Sequence, residues 1–96
     1  MNSKQSAYLR GLASTLQPVF QIGKSALTPE ITEAVSECFN THELVKVSVL
    51  KNCPEDPKVA GQILAERTRS ELVAVTGKKI VLYKENKDNK KIELPK

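Results

Sequence analysis

Twice in this chain an aliphatic run is followed, a few residues on, by a capping side chain and a proline. Val19-Phe20-Gln21-Ile22 leads to Thr28-Pro29, and the run from Leu44 to Leu50 leads to Asp56-Pro57. Proline holds φ near the helical value and lacks the amide hydrogen that a first helical turn leaves unbonded, so a cap followed by proline marks a helix start. After Pro29, Ile31, Ala34, Val35, Cys38 and Phe39 recur at i, i+3, i+4, i+7 and i+8, which predicts an amphipathic helix with Glu33 and Glu37 on its solvated side. After Pro57, Val59, Ala60, Ile63, Leu64 and Thr68 are expected on the buried side of a second such helix, ending around Arg67 to Ser70. A strand feeding a capped helix, twice over, favours parallel or crossover pairings between the strands so connected.

The flanking segments complete the order. Tyr8, Leu9, Leu12, Ala13 and Leu16 have helical spacing, predicting a helix from Ser3 to Leu16 with Ser3 as its cap; Pro18 turns the chain out of it. Gly11 costs such a helix about 1 kcal/mol relative to alanine, which points to close packing there. In the second strand Val45, Val47 and Val49 alternate with Lys46 and Ser48, so Lys46 is expected on an open face. Leu72 to Thr76 and Ile80 to Tyr83 flank Gly77-Lys78-Lys79 and read as an antiparallel hairpin. Residues 84–96 form an exposed basic loop and tail, in which Ile92 and Leu94 are apolar enough to dock on the body. The expected fold is therefore one domain, 1–96, of the α+β or α/β class: α-β-α-β-α-β-β with a mixed four-stranded sheet.

Bulk properties narrow the function. With 40% hydrophobic and 27% charged residues the chain is globular, and with four aromatic side chains its core must be aliphatic. So few rings argue against a protein that reads single strands by stacking. The net charge is +4, and from Lys58 onward ten cations stand against five acids, which favours a polyanionic partner for that half. Cys38, Cys53 and His42 match no metal-ligand spacing, and neither a metal nor a cofactor is expected. No stretch is long and apolar enough to span a bilayer, so a cytoplasmic protein without a membrane partner is expected.

Catalytic patterns are lacking as well. Gly23-Lys24-Ser25 copies the end of a nucleotide-binding phosphate loop, but position 18, where the first glycine would stand, is proline. An enzyme acting on an RNA substrate would have only His42 with Glu43 or Glu37 as its acid–base pair; no enzyme is expected, and no small-molecule substrate. The residues between the first strand and Thr28 suit another task. Gly23, Lys24, Ser25 and Ala26 carry little bulk and one cation, and they precede a helix N-terminus, where free amide hydrogens and the helix dipole favour a phosphate. Small Gly-x-x-Gly loops beside a helix bring protein backbone against nucleic-acid backbone in the same way, with Ala26 standing here at the fourth position.

Several segments in order also resemble a family. Leu9-Arg10-Gly11-Leu12-Ala13, Leu16-Gln17-Pro18-Val19, Ile22-Gly23-Lys24, Leu27-Thr28, His42-Glu43-Leu44-Val45-Lys46-Val47, and Gly77-Lys78 leading to Val81-Leu82-Tyr83-Lys84 look like a stand-alone bacterial CRM domain of the YhbY-like group. The resemblance implies a fold similar to the C-terminal domain of bacterial translation initiation factor three. It also implies RNA binding, with precursors of the large ribosomal subunit as the associated particles. The family's loop falls on Gly23, Lys24, Ser25 and Ala26, and its basic residue after the last-strand tyrosine falls on Lys84, where lysine keeps the charge without arginine's planar fork.

The expected function is thus a non-catalytic ribosomal-RNA-binding factor in large-subunit assembly. Gly23, Lys24, Ser25, Ala26 and Thr28 would receive a phosphate, with Lys46, Lys78, Lys79 and Lys84 around them and Lys4 and Arg10 adjoining. The alternative is a module that docks on ribosomal proteins through its sheet face or polar tail.

Overall fold

The computed structural model describes residues 2–24, 27–86, 88, 90 and 92–95. The elements run α1 (Ser3–Ala13), β1 (Phe20–Ile22), α2 (Pro29–Cys38), β2 (Leu44–Val49), α3 (Pro57–Thr68), β3 (Glu71–Thr76) and β4 (Lys79–Tyr83), the order expected. The strands form one mixed sheet in the order β1-β2-β4-β3. β1 runs parallel to β2, with Ile22 opposite Val49, and both β2 and β3 run antiparallel to β4. Sequence-adjacent β2 and β3 are therefore not neighbours: β4 lies between them, and α3 carries the crossover.

Both proline-led helices start as their sequences dictate. Thr28 accepts the Ile31 amide at 3.2 Å and Asp56 accepts the Lys58 amide at 2.8 Å, each from extended backbone just ahead of the proline. The α2 stripe is also where it was expected, with Val35 and Phe39 buried and Ile31 and Cys38 packed at the edge of the core. On α3 the buried side is rotated from the expected one. Ala60, Gly61, Leu64, Ala65 and Thr68 face inward, while Val59 is 42% exposed. The reason is proximity: a Cβ placed on Gly61 would lie 3.0 Å from Leu72 Cδ1 and 3.3 Å from Ile80 Cγ2, so small residues let the helix approach the sheet.

α1 departs more. Its cap is Asn2, not Ser3, in a reciprocal box: Asn2 accepts the Gln5 amide and Gln5 accepts the Asn2 amide. The helix ends at Ala13, three residues short of Leu16, and only Leu9 and Ala13 of the apolar stripe are buried. Tyr8, Leu12 and Leu16 are partly exposed, and a Cβ on Gly11 would meet nothing within 4 Å, so Gly11 marks no close contact. β1 begins at Phe20, with Val19 outside it and 50% exposed.

The sheet is covered on both faces. Val45, Val47, Val49, Ile80 and Leu82 join α2 and α3 in the larger core. On the opposite face Leu44, Val81 and Tyr83 pack with Leu9 and Ala13 of α1, together with Ile92 and Leu94 of the tail. A buried carboxylate secures that tail: Glu43 accepts the Ile92 amide on Oε1 at 2.7 Å and the Asn86 amide on Oε2 at 3.0 Å. Gln5 Nε2 donates to the Pro95 carbonyl at 3.1 Å. The docking expected of Ile92 and Leu94 thus has a polar anchor that the sequence did not announce.

Candidate functional site

Three connections meet at one end of the sheet. The Leu50 amide donates to the Ile22 carbonyl at 2.8 Å, and the Val49 amide donates to the Lys78 carbonyl at 2.7 Å. These bonds set side by side the exit of β1, the exit of β2 and the β3–β4 turn. That turn has two residues, with Gly77 first at φ 59°, a conformation open to glycine and strained for other residues. Because β1 and β2 are parallel and each feeds a helix, the N-termini of α2 and α3 lie at this same end.

The consequence is a row of lysines. Lys24 follows Gly23, Lys51 follows Leu50, and Lys78 and Lys79 occupy the hairpin tip; all four are exposed. Lys79 Nζ also donates to Ser48 Oγ at 2.9 Å, on the α1 face of the sheet. Arg10 lines a depression on that face with Lys46, Thr76 and Lys79. α2 begins at this end, its Thr28 hydroxyl already engaged by the Ile31 amide. Glu30, Glu55 and Asp56 share this end, so it is lysine-rich and not purely cationic. Ser25 and Ala26, the centre of the expected phosphate loop, lie outside the described residues.

Other residues named from the sequence go elsewhere. Lys46 does not stand on an open face: α1 covers it, and its ammonium donates to the Ala13 carbonyl at 3.2 Å and the Leu16 carbonyl at 3.4 Å. The ammonium thus sits at the negative end of α1, sharing the Ala13 carbonyl with the Leu16 amide. Period-two alternation shows that two faces of a strand differ, not that the polar face stays uncovered. Lys84 lies beyond β4 at the opposite end of the sheet, where it is half-buried and donates to the Thr68 carbonyl at 3.2 Å, at the end of α3. Lys4, on the first turn of α1, is remote from the lysine row as well: Gln5 beside it lines a depression with Glu71, Tyr83 and Leu94. That end also carries acid. Glu33, Glu37, Glu85 and Asp88 line a groove with Lys84. Arg69 and Glu71 line the neighbouring depression with Lys84, so acids and cations are interleaved there.

Lys51 was missed because it stands in a stretch with no periodic pattern. Its position follows only from the Leu50–Ile22 bond, which sets the β2 exit beside the β1 exit.

Little here is arranged for acid–base chemistry. Both Glu43 oxygens accept main-chain amides, and His42 Nδ1 lies 2.8 Å from Thr41 Oγ1 on the exposed surface. Burial raises the Cys38 thiol above its ordinary pKa, which disfavours the reactive thiolate. Burial, with the Glu43 and Glu85 charges behind it, likewise raises the Tyr83 phenol. Among the described residues no three His, Cys, Asp or Glu side chains converge as metal ligands, and no helix is long and apolar enough to cross a membrane.

The CRS1 / YhbY (CRM) domain model matches residues 1–84. The chain belongs to the CRM domain family. The Bacillus subtilis (strain 168) protein named "Probable RNA-binding protein YqeI" is 44% identical over 95 residues, covering 99% of each chain. A Haemophilus influenzae protein named "RNA-binding protein" is 31% identical over 96 residues, covering 100% of this chain and 96% of its own. The chain is also similar to the solution structure of the hypothetical protein SAV1595 from Staphylococcus aureus, described as a candidate RNA-binding protein. Its TM-score is 0.85 at 45% identity, with 99% of each chain covered.

Proposed function

We propose that this CRM domain binds RNA without transforming it. The observation that carries the reading is the meeting of the β1 exit, the β2 exit and the hairpin tip, which gathers Lys24, Lys51, Lys78 and Lys79 at the end of the sheet where α2 begins. Phosphates held there would be neutralised by ammonium groups and favoured by the helix dipole. Gly23 lets backbone come close, and Ser25 and Ala26 are assigned to the same contact. Arg10 extends the cationic surface onto the α1 face. Lys4, Lys46 and Lys84 have no part in it; Lys46 and Lys84 instead hold helix C-termini. Relatives of nearly equal length bear names that describe RNA binding, which supports the partner class.

The RNA is assigned as ribosomal RNA of large-subunit precursor particles, on the strength of the family resemblance. Contacts of this kind fix position without reading sequence. Lys24→Glu is expected to weaken binding to a labelled RNA fragment while leaving the circular dichroism spectrum and melting midpoint unchanged. Sedimentation of the protein with precursor particles is expected to vanish after nuclease treatment. Unchanged affinity in the variant would refute the loop's role, and sedimentation that survives nuclease would favour docking on a ribosomal protein.

A further inference from the structure

Lysines can hold a polynucleotide spine, but they do not decide which nucleotides lie on it. The turn after β2 bears on that question. A Cβ built on Gly23 would lie 3.4 Å from Leu50 Cδ1 and 3.5 Å from Asn52 Oδ1, so these two side chains border the residue where the lysine-flanked loop begins. The turn is pinned rather than loose: the Leu50 amide bonds to Ile22, and the Leu50 carbonyl accepts the Cys53 amide at 3.1 Å. Leu50 is nonetheless 38% exposed, a large aliphatic group left partly in water among lysines. Asn52 is exposed, and among the described residues its carboxamide has no hydrogen-bond partner.

We propose that Leu50 and Asn52 are the base-contacting residues of this surface. An unpaired nucleotide, its phosphate held at Gly23 and Lys24, lays the face of its base on Leu50 and presents its edge to the Asn52 carboxamide, which both donates and accepts. The nucleotide is unpaired because a base within an A-form duplex has both faces stacked and its major-groove edge out of reach. Leucine takes the place that aromatic rings fill in other single-strand sites. The preferred ligand is therefore a loop, bulge or strand end beside a helix. This rests on the RNA-binding reading above.

The test uses the full chain and two labelled probes, a single-stranded oligonucleotide and a blunt duplex of equal length, followed by anisotropy. Wild type is expected to favour the single strand. Leu50→Ser is expected to lose about fivefold on the single strand, the factor given by roughly 1 kcal/mol of apolar contact. Its duplex affinity and salt dependence should stay at wild-type values, and Leu50→Met should retain the preference. Asn52→Ala is expected to flatten the ranking among adenine, cytosine, guanine and uracil homopolymers. Equal losses on both probes, or no loss on either, would overturn the assignment of Leu50; an unaltered homopolymer ranking would overturn that of Asn52. Lys24→Glu separates this outcome from failure of the parent reading. If it weakens both probes while the Leu50 and Asn52 variants bind as wild type, only the base contact is wrong. If it weakens neither, the surface does not bind RNA.

Discussion

Single lysine-to-alanine substitutions, read through a salt series, distinguish the two ends of the sheet. Lys24, Lys51, Lys78 and Lys79 are exposed at the loop end. If each neutralises one phosphate of a single strand, the slope of log affinity against log salt is about −2.8, at about −0.7 per phosphate. A rise from about 50 to about 200 mM then costs about 50-fold in affinity. With one lysine gone the slope falls to about −2.1 and the loss over the same range to about 20-fold. Lys84→Ala is expected to leave the slope untouched, because that ammonium is engaged with the Thr68 carbonyl at the far end, where acids and cations are interleaved. Its effect belongs to stability instead, a loss of about 1 kcal/mol from removing a charged partner at the end of α3. Anisotropy titrations at five salt concentrations, with urea melts of each variant, separate the two quantities. A slope reduced as much by Lys84→Ala as by Lys78→Ala would place the RNA on the wrong end for this reasoning. A slope unmoved by all four loop-end substitutions would remove the interface altogether.

Other consequences are structural. Glu43→Ala removes the acceptor of the Ile92 and Asn86 amides, so the tail should detach and stability fall by about 2–4 kcal/mol, seen as a lower urea midpoint and rapid exchange of the Ile92 amide. Gly61→Val puts its Cβ 3.0 Å from Leu72 Cδ1 with two further carbons beyond it, and overpacking should cost about 1–3 kcal/mol in thermal or chemical unfolding. Tyr83 ionises later in the folded protein than in the unfolded chain, so its contribution to stability is fully present below the unfolded phenol pKa of about 10 and is lost as pH rises from there through the higher folded value. Absorbance titration near 295 nm, compared with Tyr83→Phe, checks this; a Tyr83 phenol that ionises at the unfolded value would contradict it.

Local signals carried far in this chain. Thr28-Pro29 and Asp56-Pro57 announced two helix starts correctly because a cap, a proline and the first turn interact within four residues. The α2 stripe and the Gly77 turn were legible for the same reason. At α1 the competing caps Asn2 and Ser3 adjoin, and the choice went to the residue whose box with Gln5 could close. The length of that helix and the burial of Leu12 and Leu16 were misjudged, because periodicity does not say how much of a helix the sheet can cover.

What the sequence determined by itself was the succession of elements, their helix starts and the hairpin, all set by interactions between residues a few positions apart. The tertiary structure alone decided that β4 lies between β2 and β3, that α1 covers Lys46, and that Lys51 joins Lys24, Lys78 and Lys79 while Lys84 goes to the other end. Those outcomes depend on backbone pairing between segments as distant as Val49 and Lys78. A lysine's charge is the same wherever it stands, so only that pairing, and the helix packed over it, divides the lysines that face solvent together from those that hold a neighbouring carbonyl.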